Sequence, residues 1–351
     1  MQIELNTNRL ANIVKKVGKG LIHNKFLPYT GYIMISGKGT NMSFAVNDGS
    51  NAYIYTLNRE EPFELDFSVC VNGERLLQLM TKMTTNKTRI IIEDKTVVIQ
   101  GNGKYTFTQE EGKVPIVSFE DLTGGIEHGA IKLPAIDLFN KAEGGLSKLV
   151  VNPTLMGYYV DNNVILTTNG VKLSSITTES TTATTFYITT RMMDLLRTCE
   201  GEDLYIFNSD GINVVKTSTK LIYGPEQPGH TDFPAEKLKE LLTVANPNSF
   251  TVAADAVLEA IDRLQVFDEG TVYLSINTGA VKFELDNKKR TEEILCSYED
   301  EDMKYKAQFR VSALKELLSR HKGAINFHFV DSESPIKITS SGLVQILATV
   351  V

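Results

Sequence analysis

Three stretches of this 351-residue chain repeat one order of elements. Val311 to Gly323 has a helical pattern, VSALKELLSRHKG; it runs into an alternating strand, AINFHFVD, a turn at Ser332 to Pro335, and a further strand, PIKITSSGLVQILATVV. The same order starts at Val71 (VNGERLLQLMTKM, TRIIIEDKTVVIQ, GKYTFT) and at Thr189 (TTRMMDLLRTCEG, EDLYIFNSDGINVVKTS, TKLIY). Aligned on the strand starts Arg89, Leu204 and Ile325, the copies are offset by 115 and 121 residues. Offsets of that length fit a domain-sized unit rather than a solenoid repeat. The pattern predicts three copies of one module, at 1–123, 124–243 and 244–351.

Each module opens with a strand and a helix. In the first, MQIELN is followed by a helix that Thr7 or Asn8 can cap, with Leu10, Ile13, Val14 and Val17 forming one apolar stripe. Turn dipeptides between TGYIMISGKG, TNMSFAVNDG and NAYIYTLNRE read as a meander. The second helix sends Leu76, Leu77, Met80 and Met83 inward and Arg75 and Lys82 outward. Module two has its first helix in IKLPAIDLFNKA, with Pro134 in the first turn, and its meander in TLMGYYVDNNVILTTNGVKLSSITT. Module three repeats the plan in TVAADAVLEAIDRLQVF and TVYLSINTGAVKFELDN. Linkers are expected around 110–128 and over 224–242. A helix pair on an antiparallel sheet, repeated three times, makes the expected class α+β.

Chemistry-bearing constellations are sparse. None of the five histidines, His23, His128, His230, His321 and His328, has ligands at metal spacing, and there is no phosphate-binding glycine loop or nucleophile elbow. Cys70, Cys199 and Cys296 stand one per module and read as reduced packing thiols. No catalytic centre, metal or cofactor is expected. With no apolar run of about 20 residues and no signal-peptide pattern at the N-terminus, the expected location is the cytoplasm, without membrane association.

The net charge of −7 argues against a surface that is basic throughout, yet a local basic face remains open. Lys15, Lys16, Arg75, Lys82, Lys141, Lys148, Arg191, Arg197, Lys315, Arg320 and Lys322 all fall off the apolar stripes of the helices. If the helices share one side, these cations make a lining suited to a phosphate backbone, with no base readout; otherwise they are ordinary solvated faces. Glu74, Asp137, Asp194 and Glu316 dilute the pattern, and the first helix of module three, with Asp255, Glu259 and Asp262, opposes it.

The triple module, Leu27 and Pro28 before the first meander, Leu155 and Gly157 opening the second, Thr167 to Leu173 (TTNGVKL), and Phe233 with Pro234 together resemble the bacterial sliding clamps, the beta subunits of DNA polymerase III, in a divergent or phage form. The resemblance covers nearly the whole chain. It implies a head-to-tail dimeric ring whose helices surround duplex DNA, a non-catalytic processivity factor in DNA replication. Lys15, Lys16, Lys25, Arg75, Lys82, Lys148, Arg191, Arg197 and Lys315 are then the DNA-facing residues, Lys148 because Leu149 stands where the family tends to have a polar one. It further implies a groove for short peptides of the polymerase and the clamp loader, built from Leu155, Thr168, Gly170, Lys172, Leu173, Pro234, Leu238, Ile346, Leu347, Ala348 and Thr349. Asn169 and Val171 stand in place of the family's acidic and imidazole positions and Leu238 in place of a basic one. The terminal Ala348, Thr349, Val350 and Val351 lack its Pro, Met and Arg, so the groove is expected to be more apolar and to take a different motif. Ring closure would use Tyr105 at one end and Val266 with Phe267 at the other. The alternative is a scaffold that docks proteins without encircling DNA.

Overall fold

The structure is a computed structural model; the residues described are 1–117, 121–122, 131–147, 152–209, 211–226, 232–268, 270–277, 279–285, 290–298 and 305–350. Lys148, with Leu149, His128, His230 and parts of both expected linkers, lies outside them.

From the N-terminus, β1 (Gln2–Asn6) leads into α1 (Thr7–Val17), which buries Leu10, Ile13, Val14 and Val17 as its stripe requires. The cap is Asn6, whose side chain accepts from the Arg9 N–H. Neither Thr7 nor Asn8 caps: Thr7 is buried and its hydroxyl bonds that of Thr88, which removes it from the helix end. The meander of β2 (Tyr32–Lys38), β3 (Asn41–Asn47), β4 (Ala52–Asn58) and β5 (Phe67–Asn72) precedes α2 (Gly73–Met80), followed by β6 (Lys87–Ile92), β7 (Thr96–Gln100) and β8 (Lys104–Thr108). Next come β9 (Ile131–Lys132) and α3 (Ile136–Ala142); Pro134 sits ahead of this helix, whose N-cap is Ala135, and not in its first turn. Two long strands, β10 (Gly157–Thr168) and β11 (Lys172–Thr189), run into α4 (Thr190–Leu196), then β12 (Tyr205–Ser209), β13 (Ile212–Lys216) and β14 (Lys220–Pro225).

The second expected linker contains a helix, α5 (Ala235–Thr243), because Ala235 and Leu238 find an apolar surface to bury against. The last part of the chain holds β15 (Asn248–Ala253), α6 (Ala254–Gln265), β16 (Thr271–Asn277), β17 (Ala280–Leu285), β18 (Thr291–Leu295), β19 (Ser297–Tyr298) and β20 (Tyr305–Arg310). It ends with α7 (Val311–Leu318), β21 (Ala324–Phe329), β22 (Ile336–Ser340) and β23 (Leu343–Leu347). The expected single final strand is thus a hairpin. Ser341 and Gly342, at φ of 37° and 81°, turn it in the left-handed region that glycine adopts freely.

The chain divides into two compact units, Met1–Leu133 with Arg191–Glu226, and Pro134–Thr190 with Gln227–Val351. The first holds an eight-stranded sheet, β5-β2-β3-β4-β14-β13-β12-β9, and a four-stranded one, β1-β6-β7-β8. The second holds a seven-stranded sheet, β10-β11-β23-β22-β21-β15-β19, and a four-stranded one, β18-β17-β16-β20. Every strand pair among the described residues is antiparallel, and with the helices this makes the class α+β. Strand pairing across the module borders explains the division. Lys220 to Tyr223 of β14 pair with Ala52 to Tyr55 of β4, and Lys172 to Ile176 of β11 pair with Leu343 to Leu347 of β23, so the stretch expected as module two shares its elements between the units.

In the first unit, Val114 and Leu122 from the expected linker are buried in the core beside Met34, Cys70 and Tyr223. The second unit has a large core around Phe250, Phe283, Phe309 and Phe327, and a smaller one described below. In each unit one helix pair packs together, α1 with α2 and α6 with α7.

Candidate functional site

In the first unit, the C-terminal half of α1 and the exposed face of α4 border an open cleft of about 550 Å³. It is lined by Asn12, Lys15, Lys16, Lys19, Arg191, Asp194, Arg197 and Thr198. The stripe of α1 turns inward, which leaves Lys15 and Lys16 facing out. Four of the DNA-facing candidates, Lys15, Lys16, Arg191 and Arg197, therefore meet in one place. The cations are held apart by acids: Arg191 Nε donates to the buried Asp48 (2.6 Å), and Arg197 donates to Asp194 (2.6 Å). Beneath the cleft, the buried ammonium of Lys220 donates to Glu202 and to the Thr198 carbonyl (3.2 Å). Lys16 lies 3.9 Å from the same carboxylate, and burial, then the neighbouring Lys220 ammonium, lower its pKa from the ordinary lysine value.

The remaining candidates lie elsewhere. Lys25 is exposed in the loop after α1, and Arg75 and Lys82 are exposed on and just past α2. Lys315 on α7 is tied to Asp262 (2.6 Å) and Gln265 (2.8 Å) of α6.

A second cation-lined cleft, of about 440 Å³, lies in the second unit. Asn140 and Lys141 of α3, Ser319, Arg320 and Lys322 after α7, and Ser340, Ser341 and Leu343 of the final hairpin line it. Gly145 lets α3 come this close to the sheet, since a Cβ there would sit 2.3 Å from the Thr167 carbonyl oxygen. His321, bonded through Nδ1 to the lining Ser340, is buried: its Nε2 donates to Gln345 Oε1 (2.8 Å), and Gln345 in turn donates to Ser174 (3.1 Å). Burial lowers the His321 pKa, with the Gln345 hydrogen bond opposing it. Lys141, Arg320 and Lys322 are marked in the sequence only as cations off an apolar stripe, and no local motif marks them as a set with each other or with Lys19.

The peptide-groove candidates also gather in the second unit. Leu155, Leu173, Leu238 and Ile346 belong to one apolar cluster with Leu166, Tyr187 and Phe233. Phe233 stacks on Tyr159 with ring centroids 4.8 Å apart, and the Tyr187 hydroxyl donates to the Thr154 carbonyl (2.7 Å). Thr168 is buried and donates to the Lys172 carbonyl (2.7 Å), closing the turn at Asn169 and Gly170. Gly170 and Pro234 are exposed. Lys172 is only 4% exposed and its ammonium pairs with Glu316 of α7, so its side chain is engaged internally. Leu347 belongs to the large core instead. Ala348 N–H donates to the Val171 carbonyl (3.0 Å) and the Thr349 hydroxyl to the Glu333 carbonyl (2.8 Å), which hold the final residues along the turn. Beside Ile346, the exposed Leu241, Val244 and Val330 border an apolar cleft of about 110 Å³ with Pro335, Asn246 and Lys337.

The three seam candidates are exposed apolar side chains. Tyr105 lies on β8, an edge strand of its sheet, and Val266 and Phe267 follow α6, at 79% and 58% exposure. The Arg290 guanidinium covers one Phe267 face, 4.5 Å from the ring centroid. Leu295, 86% exposed on β18, joins them; this strand is also a sheet edge. The sequence hides Leu295 because an alternating edge strand and a core strand look alike until the sheet order is known.

Among the described residues no group of three His, Cys, Asp or Glu is placed to hold a metal, and no helix is long and apolar enough to cross a membrane. Burial raises the pKa values of Cys70, Cys199 and Cys296.

No family model matches the chain, and no curated protein sequence does. Its structure matches solved ones. It aligns with DNA polymerase III subunit beta from Pseudomonas aeruginosa over 100% of both chains, with a TM-score of 0.84 and 14% identity. The DNA polymerase sliding clamp from Caulobacter crescentus aligns over 100% of both chains at 0.84 and 16%. The sliding clamp from Bacillus subtilis aligns over 100% of this chain and 99% of its own at 0.82 and 17%. The chain thus has the fold of the bacterial sliding clamps over its full length.

Proposed function

On the premise of that fold, we propose that the protein is a DNA polymerase processivity factor: a head-to-tail homodimeric ring that encircles duplex DNA and slides without reading sequence. The observation that carries this reading is the full-length agreement with sliding clamps, at a TM-score of 0.84 over every residue of both chains. Three modules per chain, with borders near 123 and 243, give a ring of two chains six modules.

The mechanism needs no reaction. Cations such as Lys15, Lys16, Arg191 and Arg197 neutralise backbone phosphates, while ring closure prevents escape, so retention is topological and does not depend on tight binding. Lys25, Arg75, Lys82, Lys148 and Lys315 add to the potential around the hole. The net charge of −7 disfavours DNA on the outside of the ring. Edge strands β8 and β18, with Tyr105, Val266, Phe267 and Leu295, form the seams between protomers; this use accounts for exposed apolar side chains on unpaired sheet edges. Polymerase and clamp loader attach by short peptides at the apolar cluster of Leu155, Leu173, Leu238 and Ile346, with Thr168, Gly170, Pro234, Ala348 and Thr349 supplying its rim. Lys172 and Leu347 support this surface from beneath. In this reading the protein is cytoplasmic, non-catalytic and free of cofactors.

Light scattering over a range of concentrations tests the ring. A stable mass of twice 39.0 kDa is expected; the mass of a single chain at every concentration would overturn the dimer and favour a non-encircling docking scaffold.

A further inference from the structure

The two cation-lined clefts are equivalent places in the repeat. In the first, the end of α1, the first helix of module one, faces α4, the second helix of module two. In the second, the end of α3, the first helix of module two, faces the segment that follows α7, the second helix of module three. Thr198 and Ser319, which line one cleft each, keep the 121-residue offset of the strand starts Leu204 and Ile325.

Each cleft also has an arginine fixed by an acid, although Arg191 and Arg320 do not keep that offset. Arg191 is fixed through Nε on Asp48, and its buried Nη2 has no hydrogen-bond partner among the described residues. Arg320 is fixed through Nη2, 3.1 Å from Glu143, and its buried Nε has no partner among the described residues. An arginine presents five donors in a rigid fork, and each acid here takes a nitrogen of the same Nε–Nη2 edge, which fixes the plane of the guanidinium. Flexible lysines stand around each arginine, Lys15, Lys16 and Lys19 in one cleft and Lys141 and Lys322 in the other.

We propose that these clefts are two preformed seats for phosphodiester backbone, one at each border between modules, so that each protomer grips duplex DNA at two fixed places instead of along a uniform basic lining. The proposal rests on the reading of the protein as a DNA-encircling ring. It assigns Lys19, Lys141, Arg320 and Lys322 to DNA contact together with the α1 and α4 cations. The hydroxyls of Ser319, Ser340 and Ser341 serve the second seat, while Asp48 and Glu143 position the arginines and do not touch DNA. Lysine-surrounded seats without base-edge chemistry allow the backbone to step from one phosphate to the next, which is what sliding requires.

The test is equilibrium binding of a short duplex of arbitrary sequence by fluorescence anisotropy at several salt concentrations. It compares the full-length protein, the cleft variant Lys19→Gln/Lys322→Gln, and the charge-matched control Lys38→Gln/Lys95→Gln. All four side chains are exposed, so the fold is not at stake. Each phosphate that is no longer neutralised should reduce the slope of log K against log salt by about one. The cleft variant is expected to show this reduction and weaker binding, with each single cleft substitution contributing about half, while the control keeps the parental slope. Equal reductions in the cleft and control variants would overturn the seats and leave the ring reading standing. No salt-dependent binding by the parent protein would overturn both.

Discussion

Phe267→Asp should open the ring, and the size of the effect follows from the exposed ring face. An aromatic side chain buries about 150–250 Å² when fully covered, and Phe267 is 58% exposed in the isolated chain. About 120 Å² is therefore available to a partner, and with half of it covered, at about 25 cal/mol per Å², each seam gains about 1.5 kcal/mol. A two-chain ring has two identical seams and must break both to dissociate, so the loss is about 3 kcal/mol. At 1.4 kcal/mol per tenfold, the dimer should weaken about a hundredfold, and further still because the new carboxylate must be desolvated. Sedimentation equilibrium on parent and variant measures this directly. Phe26→Asp is the control: Phe26 is 93% exposed, on the loop after α1 and part of neither edge strand, and its loss should leave the dimer intact. A Phe267→Asp protein that melts like the parent and dimerises as tightly would refute the seam.

Other outcomes follow from the same geometry. Glu316→Ala should destabilise the fold by about 3 kcal/mol, the low end for a broken buried pair because Glu316 is itself a third exposed, whereas Lys172→Met should be near neutral in chemical denaturation. Gly145→Ala should cost at least about 1–3 kcal/mol by overpacking against the Thr167 carbonyl, measured the same way. His321 is held neutral by burial, with its folded pKa below the ordinary 6.5. The unfolded chain therefore takes up a proton more readily, so the contribution is complete above pH 6.5 and is lost as pH falls from there through the folded pKa. His328, also lowered by burial, adds in the same direction. Thermal melts across this range should show a shallower pH dependence in His321→Asn than in the parent.

The sequence carried the element plan because the plan is local and written three times. The α1 stripe and the first meander lie where periodicity and turn dipeptides place them, since each element buries one face. What was not legible depends on non-local pairing. Nothing in Lys220 to Tyr223 announces that β14 will extend the sheet of the first meander through β4, so the two compact units cut across a stretch that periodicity treats as one module. α5 was hidden by the Gly- and Pro-rich residues before it, and the turn at Ser341 and Gly342 by the continuous apolar pattern around it. At the candidate sites, the α1 and α4 cations were readable as residues off an apolar stripe. Their grouping with Lys19, and the parallel grouping of Lys141, Arg320 and Lys322, needed the third dimension. Lys172 shows the opposite case, a cation whose surface role the resemblance to the clamps implied and whose side chain the fold buries against Glu316.

The central claim is encirclement, and DNA topology tests it most directly. Protomers dissociated by dilution and allowed to reassociate by concentration in the presence of nicked circular plasmid would close around it without a loader. Gel filtration at moderate salt then separates DNA-bound from free protein, before and after the plasmid is cut once. Co-elution with the circle and release on linearisation is the result this account predicts. Equal retention on circular and linear DNA, or none on either, would contradict it.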